Sequence, residues 1–186
     1  MSSNKVDLST YNPGGFDRGA GALKEGLWIL VSMLLFRLCP LALSRPKAFV
    51  LRRFGARVGK GVVIKPNVRI HFPWRLTIGD HTWLGEDAWL LNLAPITLGS
   101  HVCISQRAFL CTGSHDYKSR GFDLIARPIE VDSGAWVGAA AWVGPGVHIG
   151  SHAVLAAQSV AAHDLEPFTI YRGNPAVAAR RRELRD

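Results

Sequence analysis

Apolar positions in the second half of the chain recur with a period of six. Aliphatic residues stand at Val131, Val137, Val143, Ile149 and Leu155, and four places after each comes a smaller one, at Ala135, Ala141, Val147, Ala153 and Ser159. An amphipathic helix repeats near 3.6 residues and a half-buried strand at 2, so neither gives this recurrence; stacked coils of short strands joined by tight corners do. Each aliphatic side chain then stacks on its equivalent one coil away. The small residue takes a corner where a bulky chain would not fit, and Gly138, Gly144 and Gly150 beside the aliphatic positions suit close backbone approach.

The same pattern begins at Val58. Its aliphatic positions run Val58, Ile64, Ile70, then Ile78, Leu84, Leu90, then Leu98, Ile104, Leu110, with strides of 6, 6 and 8, so each early coil has 20 residues. Small residues hold the fourth place at Val62, Val68, Thr82, Ala88, Ala94, Val102, Ala108 and Ser114, and Trp74 is the departure. The extra residues fall at HFPWRL (71–76) and NLAPIT (92–97), one coil apart and therefore on one edge. Between Leu110 and Val131 the repeat breaks, with a stride of 21, and then resumes without error. Irregular excursions from a regular scaffold carry function more often than packing. The pattern predicts about five coils, a prism roughly 24 Å tall at ~4.8 Å per stacked strand. Trp83, Trp89, Trp136 and Trp142 all precede an aliphatic position and point outward. Exposed rings in that number call for cover, either between subunits or, for one or two of them, in a cofactor cleft.

Outside the coils, residues 1–21 hold Asn12, Pro13, Gly14, Gly15, Gly19 and Gly21 and predict an extended arm with turns. The apolar run Leu27–Phe36, followed by Arg37 and LCPLAL with Pro40, predicts a helix. It is far shorter than the ~20 residues of a membrane span and lacks a signal-peptide cleavage site. Two settings remain open for it: packed on the end of the coil stack or on a neighbouring subunit, or lying in a membrane interface helped by Arg37, Arg45, Lys47, Arg52 and Arg53. The tail from Pro167 predicts a turn and then a short basic helix over about 176–184.

The formal charge of +8 favours an anionic cofactor or an acidic lipid surface, and no nucleic-acid module accompanies it. Three cysteines, Cys39, Cys103 and Cys111, show no paired spacing, which argues for a reducing compartment, the cytoplasm by default. Cys111 reads as a small buried apolar group rather than a nucleophile. His81 and His101 occupy equivalent places on successive coils, and His148 and His152 are four apart, but no third ligand completes a zinc site, so no metal is expected. His115, in TGSHDY at the start of the excursion, is the candidate general base, since an imidazole takes a proton near neutral pH.

The hexad run resembles the hexapeptide-repeat acyltransferases. TGSHDY after an ISQ-containing coil, PIEV before the clean repeats, VVIKPNVRI, PWRLTIGD and the ending YRGNPA resemble the sugar O-acetyltransferases of colanic acid and other exopolysaccharide biosynthesis over nearly the whole chain. That resemblance implies an all-β solenoid, a left-handed parallel β-helix, over 58–170 with an active-site loop at 111–130, preceded by the arm and apolar segment (1–57) and followed by the basic tail (171–186). It implies a homotrimer with sites between subunits, acetyl-CoA as cosubstrate, and a sugar or glycan-precursor hydroxyl as acceptor, in the cytoplasm or at the inner face of the membrane. His115 carries over as the base, the Ala139 N–H as oxyanion donor, Ala157 as a second backbone contact of the pantetheine arm, and Arg180 as a CoA phosphate contact. Asn92, in the corner one coil below the base, carries over as an acceptor contact and reads equally as a turn residue.

Departures from the pattern sit at Ala162 and His163, where relatives carry Thr and Lys that help bind CoA, and at Val177, a commonly basic position. Asp116 is an adjacent candidate to orient His115. N-acylation of an amino sugar or small amine, and a non-catalytic scaffold prism, are the alternatives.

Overall fold

The computed structural model describes residues 5–13, 15–37 and 43–185. Gly14, Cys39, Pro40 and the rest of residues 38–42, each part of an expectation above, lie outside the described residues.

Three parallel sheets form the faces of a prism, as the left-handed parallel β-helix requires. The first face stacks Arg57–Val58, Leu76–Ile78, Ile96–Leu98, Ile129–Val131 and His148–Ile149. The second stacks Val63–Ile64, Trp83–Leu84, Cys103–Ile104, Trp136–Val137, Val154–Leu155 and Thr169–Arg172. The third stacks Arg69–Ile70, Trp89–Leu91, Phe109–Cys111, Trp142–Val143 and Val160–Ala161. The inward residue of each strand pairs in register with its equivalent one coil on, so Ile64, Leu84, Ile104, Val137 and Leu155 form one apolar column, each 0% exposed. This column is the core in its simplest form: every side chain buries its surface against its own repeat, at ~25 cal/mol per Å² removed from water.

The stack exceeds the expected five coils. Thr169–Arg172 continues the second face into a sixth turn and places Tyr171 above Leu155. An aromatic residue 16 positions on hides that turn from a hexad count.

The tail differs from its predicted helix. Val177–Arg181 is a strand, antiparallel to Thr169–Arg172, after a turn in which Gly173 takes a φ of +100°. The reversal brings the chain back along the exposed edge of the last strand, and pairing that edge outweighs the helix propensity of Ala178, Ala179 and Arg180.

At the other end, α1 (Ala22–Ser32) continues into a wider π-type turn at Met33–Arg37, and α2 (Ser44–Arg53) carries Pro46 in its first turn and Arg52 and Arg53 in its last. Trp28 and Phe36 are buried and meet edge to face, with centroids 5.6 Å apart, and Trp28 donates its indole N–H to the Ile70 carbonyl on the first coil. Leu51 and Ala48 of α2 are buried with them. The described part of the apolar segment thus closes the open end of the prism. No helix among the described residues is long and apolar enough to cross a membrane.

Candidate active site

The three corners of the prism are unequal. The corner between the second and third faces is tight in every coil and stacks Pro66, Glu86, Gln106, Ala139 and Ala157 in one column, linked by hydrogen bonds from the amide that follows each to the carbonyl one coil below. The next residue in each turn, from Asn67 through Asp87, Arg107 and Ala140 to Gln158, has φ near +60°. Gly138 is obligatory there, because a Cβ would come within 2.5 Å of the Ala157 nitrogen. Up this column the side chains shrink from Glu and Gln to Ala, and a groove of about 430 Å³ opens over Ala139 and Ala157. Gly138 and Ala140 donate to Leu155 and Gln106. The Ala139 N–H between them has no acceptor among the described residues, and Ala139 lines the groove.

The corner between the third and first faces holds the insertions. At its lower level the Asn92 side chain is 0% exposed; its Oδ1 accepts from the amides of His71 and Phe72, at 3.1 and 2.9 Å, and its Nδ2 donates to the Phe72 carbonyl at 2.6 Å. Asn92 therefore fastens one inserted corner to the one below. Thr112 repeats the device one coil up, donating to the Leu91 carbonyl and accepting from the Ala94 amide.

From that level the excursion leaves the prism as a hairpin. Gly113–His115 pairs antiparallel with Leu124–Ala126, and His115 stands opposite Leu124. Its Nδ1 lies 2.7 Å from the Phe122 carbonyl. A carbonyl only accepts, so the proton sits on Nδ1 and Nε2 keeps its lone pair for an incoming proton. The Phe122 ring stacks on the imidazole, 4.4 Å between centroids and 11° between planes, fixing its direction. Asp116 does not orient His115; its carboxylate accepts from the Lys118 amide. A carbonyl seven residues on leaves no mark in a motif, so Phe122 was not foreseeable as the partner.

The N-terminal arm reaches the same edge. The Asp7 amide donates to the Arg120 carbonyl, the Tyr11 ring lies 5.9 Å from that of His115, and the Trp74 indole donates to the Arg18 carbonyl at 2.7 Å. Arg75 joins the arm to the corner through the carbonyls of Asp17 and Leu93. Phe16, Asp17, Arg75, Leu93 and Ala126 line a shallow depression of about 490 Å³ below the hairpin.

The expected site residues are thus divided. His115 and Asn92 share the inserted corner, while Ala139 and Ala157 share the tight one, across the full width of the third face, roughly 15–20 Å of strand. Arg180 lies on the terminal strand opposite Ile170, beside Arg181 and Arg182. Arg182 is committed to the carbonyls of Gly134 and His152. Ala162 and His163 lie on the inserted edge, above Arg127. Val177 opens the terminal strand. Burial pushes the Cys111 thiol up from its ordinary pKa, and its sulfur donates to the Gly113 carbonyl, as befits a packing residue. The rings of His81 and His101 stack 5.3 Å apart, and no group of three metal-ligating side chains occurs among the described residues.

No protein-family model matches the chain. Among curated proteins, it is 46% identical over 177 residues to the Escherichia coli (strain K12) protein named "Putative colanic acid biosynthesis acetyltransferase WcaF", covering 95% of this chain and 97% of that one. Among solved structures, a hexapeptide-repeat-containing acetyltransferase from Vibrio cholerae superimposes with a TM-score of 0.76 at 31% identity, over 88% of this chain and 95% of that one. A Vibrio cholerae O1 biovar eltor structure complexed with acetyl coenzyme A superimposes with a TM-score of 0.78 at 27% identity, over 94% and 97%. With this fold and these relatives, the chain belongs to the hexapeptide-repeat acetyltransferases.

Proposed function

We propose that the chain transfers acetyl from acetyl-CoA to a hydroxyl of a sugar, in the assembly of a surface glycan. The observation that carries this reading is the His115 imidazole, held by the Phe122 carbonyl in the tautomer that leaves Nε2 as base. Nε2 takes the acceptor hydroxyl proton as the oxygen attacks the thioester carbonyl. The oxyanion develops towards the Ala139 N–H. Collapse breaks the C–S bond, and the CoA thiolate leaves with the proton returned from His115. Ala157 lines the pantetheine path, and Arg180 supplies a guanidinium for a CoA phosphate. Asn92 serves the acceptor side by holding the corner one coil beneath the hairpin.

Because His115 and Ala139 occupy different edges of one prism, the complete site spans two copies. The two levels differ by one coil, about 4.8 Å, so parallel neighbours present them at nearly the same height. The outer rows support such packing. The first face shows Arg57, Thr77, Thr97, Glu130 and His148, whereas the second shows Trp83, Cys103 and Trp136 and the third, above Arg69, shows Trp89, Phe109 and Trp142. Trp83 is 55% exposed in the single chain, surface that a homotrimer covers.

The test is CoA release by purified protein from acetyl-CoA across a panel of sugars, with products challenged by mild base. Release that depends on His115 and yields a base-labile ester supports the reading. A base-stable amide moves the acceptor to an amine, and release no greater than that of His115→Ala with every sugar removes it.

A further inference from the structure

Helices α1 and α2 turn their buried faces to the first coil and leave their outer faces uncovered at the N-terminal end of the prism. On α1, Leu23, Leu27 and Leu30 follow the i, i+4, i+7 spacing of one helical stripe, which Leu34 prolongs into the π-type turn, and each is at least 50% exposed. Ile29 and Met33 widen the stripe. On α2, Arg45, Phe49, Arg52 and Arg53 share a face, and Phe49 is 61% exposed. Residues 22–57 carry seven basic side chains and one acidic, a net +6 of the chain's +8; Lys47 is buried and Arg52 is bonded to the carbonyls of Val58 and Gly59, so Arg45 and Arg53 carry the free charge of the α2 face.

Leucines in this number facing water are an apolar patch that requires an occupant. A second copy fits poorly, since it would set one +6 segment against another. A protein partner has no feature on this face that selects it. An apolar stripe too short to span, flanked by a cationic face, matches the interface of an anionic bilayer, with leucines at the acyl boundary and arginines at the phosphates. We propose that α1 and α2 together form a docking face for an anionic lipid surface. The base of the His115 hairpin lies two coils above the first, about 10 Å along the prism. On the acetyl-transfer reading, on which this consequence alone rests, an acceptor held at the headgroup level comes within reach of the base.

The experiment is co-sedimentation of the full chain with phosphatidylcholine vesicles, with and without phosphatidylglycerol, at low and high salt; it needs no activity and so fails or succeeds apart from the catalytic reading. Binding is expected only with phosphatidylglycerol and is expected to weaken with salt. Leu27→Glu with Leu30→Glu lowers it by at least about tenfold, and Arg45→Gln with Arg53→Gln lowers it about fivefold per charge. Leu27→Gln with Leu30→Gln, whose exposed sites leave the Tm unchanged, gives the same direction without an added charge. Binding that ignores phosphatidylglycerol, or that survives in both leucine pairs, overturns the proposal. So does a fall in oligomer mass by light scattering in the leucine variants without any vesicle binding by the wild type, which assigns the face to contact between copies.

Discussion

Two corners of one prism share a period and differ in everything else. The tight corner repeats the same turn from Pro66 to Ala157 and offers backbone; the inserted corner changes at each level and offers side chains. Regularity suits the tight corner to a long, largely apolar arm lying along stacked amides. Irregularity suits the other to one precise contact, because a hairpin that leaves the stack can aim an imidazole. On the proposed reading, the solenoid separates cofactor groove from base by edge, and a second copy reunites them.

The comparison can be broken at either corner. The largest effect is expected for His115→Ala: a fall in kcat of about 10²–10⁴, with CoA binding by calorimetry unchanged, since the backbone of the tight corner and not the imidazole holds the CoA arm in the proposed site. Next comes Ala139→Pro. Proline already stands in this column at Pro66, so the turn accepts it while the N–H alone is removed. An oxyanion donor lost in this way lowers kcat by about 10²–10³ with little change in Tm.

Asn92→Ala sharpens the contrast differently. It strands the buried Phe72 amide and carbonyl, while the His71 amide keeps the Leu90 carbonyl, costing about 2–4 kcal/mol, read as a fall in Tm of roughly 5–12 °C. A raised acceptor KM with unchanged Tm would instead return Asn92 to substrate contact. The smallest effect concerns His71, beside the arm, whose pKa is lowered first by burial and then by the Arg18 cation, with Glu25 opposing. The folded state binds that proton less readily than the unfolded chain. Its contribution to stability is therefore full above the ordinary pKa near ~6.5 and is lost as pH falls through the lowered value. His71→Gln flattens the Tm profile below pH ~6.5.

Much of this was legible in the chain before any coordinates. The six-residue period named every core column from Val58 to Leu155, and the strides of 6, 6 and 8 located both inserted corners and the break at His115. What escaped has a common physical cause. The sixth turn, built on Tyr171, and the strand Val177–Arg181 are edge pairings decided by where the chain already lies, which no local preference records. The Phe122 carbonyl belongs to a backbone that any residue would supply. Asn92 was visible as a special corner residue, but whether its amide faces a ligand or the chain depends on the three backbone groups around it. The contact of Tyr11 with His115 joins two segments with no shared pattern.

The central claim is that each site takes His115 from one copy and the Ala139 N–H from another. Its most direct test co-assembles equal amounts of His115→Ala and Ala139→Pro subunits, each nearly inactive alone. In a random assembly of the two subunits each mixed trimer holds one site in three that pairs an intact histidine with an intact amide, about one in four over the whole population, so activity is predicted to return to roughly a quarter of wild type. Mixed oligomers that form, as shown by differently tagged subunits, and yet stay as inactive as either parent would place both groups in a single copy and contradict the account.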